Sequence, residues 1–243
     1  MKNIFIYIVS CCLLLIKLSA SSAQNPSIAS YGGIRELAEK QYGPDPDLLN
    51  GRKYNFIYRS AEGSPFFEVP GVVSSNIQIK GKLYVDQRIR FDIYNQLIIL
   101  EFKDVSGARS SIVLNDEVVD YFTLGYLHFK KFPDKDGLER FGQIVYLDSI
   151  SCIYFWKKNY LTELEDGQRY YRFSGPVRDA VIIIGAQVKA YGNKKSFLKC
   201  FQKRDRKKIK SRMREERINP RKANVLEMQS LLKYINQLQD HED

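Results

Sequence analysis

The feature that most constrains the fold is a run of short β-type segments between Tyr54 and Tyr191. Turn-forming stretches separate them: SAEGSP, DVSGAR, PDKDG, LEDGQ and SGPVRD. The segments predicted as strands are YNFIYR, VVSSNIQIKG, KLYV, SSIVLN, YLHFKKF, IVYLD, SCIYFWKK, RYYRF and DAVIIIGAQVKAYG. Roughly ten short strands joined by short turns predict antiparallel sheets, as a sandwich or an open, curled barrel. Long helices do not alternate with them, which argues against a parallel α/β fold.

The stretch RIRFDIYNQLIILEF, residues 88–102, predicts a hairpin within this region. Ile89, Phe91 and Ile93 alternate with polar or half-polar neighbours, the period of a half-buried strand. Asn95 suits a turn, and the run that follows, up to Phe102, is apolar except for Glu101. Such a run is typical of a strand covered on both faces, so we expect the hairpin to be central in its sheet.

The N-terminus has the pattern of a secretory signal peptide. Lys2 precedes an apolar stretch from Ile4 to Ile16, and Ser21-Ser22-Ala23 forms a small-residue exit. We therefore predict cleavage after Ala23, export, and a location in the periplasm, with association to the envelope as a further option. An uncleaved anchor and a lipoprotein site at Cys11 are the alternatives.

The C-terminal part changes from strand-like to helical patterning at Asn193. Asn193 is predicted to cap a first helix, and a second is expected over about 205–217. Asn219 and Pro220 predict the cap and first residue of a third helix. Its apolar stripe is Val225, Met228, Leu232 and Ile235. The predicted organisation is thus a signal peptide at 1–23, a short helix and linker at 24–50, a β domain at 51–192 and a basic helical segment at 193–243.

Positive charge is concentrated in that last segment. Residues 194–222 hold 14 Lys or Arg against three acids, a net charge of +11, while the whole chain carries +10. The densest part is Lys203, Arg204, Arg206, Lys207, Lys208 and Lys210. Behind a signal peptide nucleic acid is not expected, and the stacking aromatic residues of a single-strand binder are missing between the charges. An anionic membrane surface or an acidic envelope protein fits better, and a merely solvated helix face is the alternative.

Two cysteines remain after cleavage, Cys152 and Cys200. In an oxidising compartment they would be able to pair as a disulfide. The simpler interpretation is two buried thiols on apolar faces, because cysteine is among the most buried residue types.

Catalytic and metal-binding patterns are weak. His128 and His241 are the only histidines, and with two separated cysteines they give no zinc spacing. The turn PDKDG departs from the EF-hand frame, and no G-x-S-x-G, phosphate-loop or dinucleotide pattern is found. We predict no cofactor and no metal. A glycosidase-type carboxylate pair depends on spacing in space, so an enzyme stays an alternative.

Four stretches of the chain resemble a family of uncharacterised secreted proteins of Bacteroidota. They are NGRKYN at 50–55, GSPFF at 63–67, GKLYVDQRIRFDIYNQLIIL at 81–100 and KKSFLKCF at 194–201. The resemblance implies export and a β architecture, and it implies no activity. Phe91 stands where those proteins usually have Tyr, so no role is assigned to a hydroxyl there.

Three functions follow as hypotheses. The first is a non-catalytic binding or scaffold protein of the periplasm or envelope. The second is a carrier or sensor of an apolar ligand, held in a pocket of the curled sheet under the C-terminal helices. The third is an envelope hydrolase with an unrecognised carboxylate site.

Overall fold

The computed structural model describes residues 45–68, 74–104 and 106–240. The predicted signal peptide, its cleavage site and the predicted helix near Ile34 lie outside the described residues. The strands, numbered in chain order, are β1 Gly51–Lys53, β2 Ala61–Glu62, β3 Ser75–Ile79, β4 Lys82–Asp92, β5 Leu97–Lys103, β6 Arg109–Leu114, β7 Val119–Leu124, β8 Leu127–Pro133, β9 Glu139–Tyr146, β10 Ile150–Lys157, β11 Tyr160–Glu165, β12 Gln168–Phe173, β13 Val177–Ile184 and β14 Gln187–Tyr191. The helices are α1 Lys194–Lys199, α2 Arg206–Glu215 and α3 Val225–Asp240.

Eleven of these strands form one open antiparallel sheet, in the order β1-β6-β5-β4-β3-β7-β8-β9-β10-β13-β14. A smaller sheet has the order β11-β12-β2, in which β2 is parallel to β12. The fold class predicted from the sequence, mainly antiparallel β with a helical C-terminus, is confirmed. Among the described helices none is long and apolar enough to cross a bilayer.

The predicted hairpin at residues 88–102 is confirmed as β4 and β5. Phe91 pairs with Ile98, and the turn lies at residues 93–96. The carboxylate of Asp92 accepts hydrogen bonds from the backbone N–H groups of Tyr94 and Asn95, which fixes the turn locally. Ile98, Ile99 and Leu100 are all buried, as a strand covered on both faces requires.

The first half of the sheet curls, so side chains from strands that are not neighbours meet on its concave side and form a core. Phe91 on β4 and Phe129 on β8 are three strand positions apart, which is about 14 Å in a flat sheet. Their ring centroids are only 5.6 Å apart, and Phe91 also contacts Phe122 at 5.3 Å. The side chain of Gln96 donates to the carbonyl oxygen of Trp156 on β10 at 3.0 Å, across five strand positions. The sheet therefore wraps around a core that includes these aromatic rings.

The second half of the sheet is covered by the three helices. The sheet contributes one residue from each of β9, β10, β13 and β14 to a shared core: Val145, Ile150, Ile182 and Tyr191. The helical segment completes this core with Phe197, Phe201, Ile209, Met213, Met228, Leu231, Leu232 and Ile235. The predicted stripe of the third helix is thus mostly in the core, with Val225 half-buried. The predicted β domain and helical segment share this core, so they form one unit.

The small sheet is attached by aromatic side chains. Tyr58, Tyr94, Tyr160 and Phe173 pack with ring centroids 5.1–6.1 Å apart. The sequence predicts a strand over residues 54–59, and this is wrong. Tyr54 still donates its backbone N–H to the carbonyl oxygen of Ser111 on β6 at 2.9 Å, but the segment then leaves β1 in the large sheet for β2 in the small one and forms no strand.

Three further details correct the sequence predictions. Strands β1, β2, β7 and β11 were not predicted, and β2 lies in SAEGSP, which was predicted as a turn. The segment DAVIIIGAQVKAYG is two strands joined at Gly185, which has φ +55°. The third helix begins at Val225 rather than Pro220. Asn219 starts only a single turn, and Asn224 is the cap, exchanging hydrogen bonds with Glu227 at 2.9 Å. The predicted cap of α1, Asn193, is confirmed by its reciprocal hydrogen bonds with Ser196.

Candidate functional site

An apolar groove lies between the sheet and the start of α3. It has a volume of about 830 Å³, and its lining comes from β8, β9, β10, the turns at their ends and the first turn of α3, with Phe67 and with Arg178 on β13. Tyr126 and Leu147 stand in the turns before β8 and before β10, and Leu226 faces them from the helix. The groove is thus assembled from parts of the chain that are far apart in sequence.

These three side chains are unusually exposed for their size. Tyr126 is 78 % exposed, Leu147 61 % and Leu226 75 %. Single exposed apolar residues are ordinary on a protein surface, but their convergence around one concavity marks an interaction site. Covering a large apolar side chain contributes about 1.5–3 kcal/mol, so an occupant of the groove would gain from all three.

The floor of the groove is held in place before any ligand binds. Trp156, the only tryptophan of the chain, donates from Nε1 to Oε1 of Gln143 at 2.7 Å. Its ring packs against Phe67 with centroids 5.2 Å apart. On the helix side, Nε2 of Gln229 donates to the carbonyl oxygen of Val145 at 2.9 Å. These bonds fix the two walls relative to each other, so the groove is preformed.

Arg178 gives the groove its charge. Its guanidinium carbon is 3.9 Å from the ring centroid of Tyr154 and 5.7 Å from that of Trp156, so it is held by cation–π contacts. Nη2 donates to the carbonyl oxygens of Arg221 and Ala223, at 3.2 and 2.7 Å. Toward the described residues it makes hydrogen bonds from Nη2 alone, which leaves Nε and Nη1 as donors for a ligand.

The remaining polar side chains of the lining carry no negative charge. They include His128, Gln143, Asn224 and Gln229, and none of the described lining residues is a carboxylate. His128 lies on β8, as predicted, with an exposed side chain beside the buried Phe129. An apolar groove with one arginine and no acid suits a ligand that is apolar with a neutral or anionic polar group.

The six cations singled out in the sequence do not share one role. Lys207, Lys208 and Lys210 lie on the outward side of α2, where with Ser211 and Arg214 they line a shallow depression of about 440 Å³. Lys203 and Arg204 are in the preceding turn, and Arg204 lies 3.8 Å from Asp205. Arg206 turns inward, and its Nε and Nη2 donate to the carbonyl oxygen of Phe201 at 3.0 and 2.9 Å. Arg206 therefore provides hydrogen bonds to the backbone just after the end of α1, and it is not part of an outward basic surface.

The two cysteines are free thiols in the core between sheet and helices. Both are buried, and no bridge joins them. Burial raises the pKa of the Cys152 thiol to about 12 and that of Cys200 to about 11. Neither is a thiolate near neutral pH, so neither is suited to nucleophilic or metal-binding chemistry.

Carboxylates and histidines are scattered. The described residues contain no group of three or more His, Cys, Asp or Glu that would hold a metal ion. In the PDKDG turn, Oδ1 of Asp134 accepts from the N–H groups of Asp136 and Leu138, and its Oδ2 lies 3.1 Å from Nε of Arg140. The carboxylate of Asp134 therefore stabilises the turn itself. His241 lies outside the described residues.

The carrier hypothesis placed a pocket under the C-terminal helices, but no residue was named from the sequence as part of its lining. A signal was present: Tyr126 and Leu147 are large apolar residues in turns, where polar residues are usual. Scans of protein-family models, curated proteins and solved structures returned no match. The resemblance to secreted proteins of Bacteroidota stays a prediction.

Proposed function

We propose that this chain is a non-catalytic binding protein that holds an anionic amphiphile in the groove. The proposed ligand has an apolar chain or ring system, covered by Tyr126, Leu147 and Leu226, and an acidic head placed at Arg178. The observation that carries the proposal is the convergence of these three exposed apolar side chains around a preformed cavity whose described lining includes Arg178 and no carboxylate.

The groove has the size and position that a carrier of this kind needs. Sites for small molecules are mostly apolar clefts of about 300–1,000 Å³ with a few placed polar groups, and this one is about 830 Å³. It lies between the sheet and α3, as the carrier hypothesis requires. A scaffold protein without a ligand offers no reason for exposed apolar residues to surround a preformed concavity.

The single tryptophan provides a direct test. Dodecanoate, below its micellar concentration, is titrated into the protein while the emission of Trp156 is recorded. We expect a saturable change in emission, because a ligand in the groove replaces water beside the indole. Decanol and dodecyltrimethylammonium serve as neutral and cationic comparison ligands. Arg178 favours dodecanoate over both.

Matched variants distinguish the groove from general hydrophobic adsorption. Leu226→Ser removes about 1.4 kcal/mol or more of apolar contact, which is about tenfold in affinity. Leu164→Ser is the control, because Leu164 on β11 is 73 % exposed but does not line the groove. Arg178→Gln should weaken dodecanoate more than decanol, and circular dichroism checks that it folds. Equal affinities for the two leucine variants, or an emission change that does not saturate, would reject the proposal.

A further inference from the structure

The outward side of α2 is a basic face, formed by Lys207, Lys208, Lys210, Ser211 and Arg214. Its orientation follows from the opposite side of the helix. Ile209 and Met213 are fully buried in the core with the sheet. With 3.6 residues per turn, Lys207, Lys210 and Arg214 then lie on the side of the helix that points away from that core.

The basic face keeps a net positive charge, although one acid of the segment lies beside it. Asp205 is 2 % exposed, and Glu216 lies 2.5 Å from Nη2 of Arg212. Glu215 accepts a hydrogen bond from Ser211 at 2.9 Å. Within the part of the chain that the structure describes, Lys207, Lys210 and Arg214 have no carboxylate within ion-pair distance.

Two features of this helix are unfavourable in the isolated protein. Like charges three and four positions apart, as in Lys207–Lys210 and Lys210–Arg214, repel each other on a helix surface. The first turn also carries Arg206, Lys207 and Lys208 and no acid, although the positive end of the helix dipole disfavours cations there. An external anion relieves both effects.

We propose that the basic face of α2 docks this protein on an anionic lipid surface. Its described cations are mainly lysines, which are point charges on flexible stems and suit a diffuse anionic layer. Recognition of single carboxylates or phosphates favours the planar fork of arginine instead. The face carries no aromatic residue on which a nucleic acid base would stack. The site is separate from the groove, so the docking does not depend on the ligand.

The test measures co-sedimentation with vesicles. Wild-type protein is mixed with phosphatidylcholine vesicles that contain about 30 % phosphatidylglycerol, and with pure phosphatidylcholine, at about 50 and about 300 mM salt. We expect binding only to the anionic vesicles, weakened at the higher salt. Each Lys or Arg near such a surface strengthens binding about fivefold. The triple variant Lys207→Gln/Lys210→Gln/Arg214→Gln should therefore bind about 100-fold more weakly.

A second triple variant controls for net charge. Arg52→Gln/Lys53→Gln/Lys103→Gln removes the same charge from exposed positions on β1 and β5. It should keep wild-type binding, and circular dichroism should show both triple variants folded. Failure of the wild type to bind, or equal losses in the two variants, would overturn the proposal. So would tighter binding of polyglutamate or single-stranded RNA than of vesicles, if the α2 variant abolished it, because the face would then serve a macromolecule.

Discussion

Gly142 shows how tightly the sheet is packed at a single residue. It lies on β9 opposite β10, and a Cβ added there would meet Cγ2 of Ile153 and come within 2.9 Å of Cε1 of Phe155. Both neighbours are buried and belong to the small core on the second face of the sheet, with Val181. The absence of a side chain at residue 142 is what lets these two approach the backbone.

Gly142→Ala should therefore destabilise the protein. Overpacking a filled core costs about 1–3 kcal/mol, and we expect the upper part of that range because Phe155 and Ile153 are both held by neighbours. Gly175→Ala is the matched control, since a Cβ at that position has nothing within 4 Å. Urea unfolding measures both free energies. A Gly142→Ala variant as stable as Gly175→Ala would contradict the packing described for this face.

At the scale of elements, the sequence predicts those features that depend on neighbouring residues. It does not predict features in which a distant residue binds the backbone groups of an element. The β4–β5 hairpin was predictable because its alternation and its turn residues lie within 15 consecutive positions. The start of α3 was misplaced because Arg178, more than 40 residues earlier, takes the carbonyl oxygens of Arg221 and Ala223. The basic face of α2 was predictable from the spacing of Ile209 and Met213. The inward turn of Arg206 was not, because it depends on where α1 ends.

The cap at Asn224 gives the prediction at this scale. Asn224 and Glu227 exchange side-chain-to-backbone hydrogen bonds that begin α3, the helix that forms one wall of the groove. Asn224→Ala should lower the free energy of unfolding by about 1 kcal/mol, because it leaves helix N–H groups unsatisfied. Gln237→Ala, at an exposed position of the same helix, should change it by less than about 0.5 kcal/mol. Equal chemical-denaturation midpoints for the two variants would show that α3 does not depend on this cap.

For the whole molecule, the curl of the sheet joins the two cores to the groove. Phe91, Phe122 and Phe129 fill its concave side, and Phe67 contacts both Phe129 and Trp156. The aromatic core and the groove floor are thus continuous. Sequence alone did not show this, because which strand faces become neighbours depends on strand order, and the order places β3 between β4 and β7.

Phe91→Ala tests how far the curl supports the molecule. Phe91 is 1 % exposed, and its removal should cost about 3–5 kcal/mol of stability, because the tightly packed rings around it are unable to move into the cavity that is left. Phe56→Ala, at a ring that is 38 % exposed, should cost less than about 1.5 kcal/mol. Thermal unfolding measures the difference. If the two variants unfold at the same temperature, the contact between Phe91 on β4 and Phe129 on β8 contributes little to stability.

The covering of β9 and β10 by α3 has a consequence for the order in which the chain folds during synthesis. Gln229 bonds to Val145 across 84 positions of sequence, and Asn236 reaches Asp148 across 88. Contacts this distant close slowly, and the strands that need them leave the ribosome first. Val145 and Ile150 therefore stay exposed to solvent until the last residues of α3 have emerged from the ribosome. A nascent chain of this protein is unable to complete its second core until α3 has been synthesised and has left the ribosome.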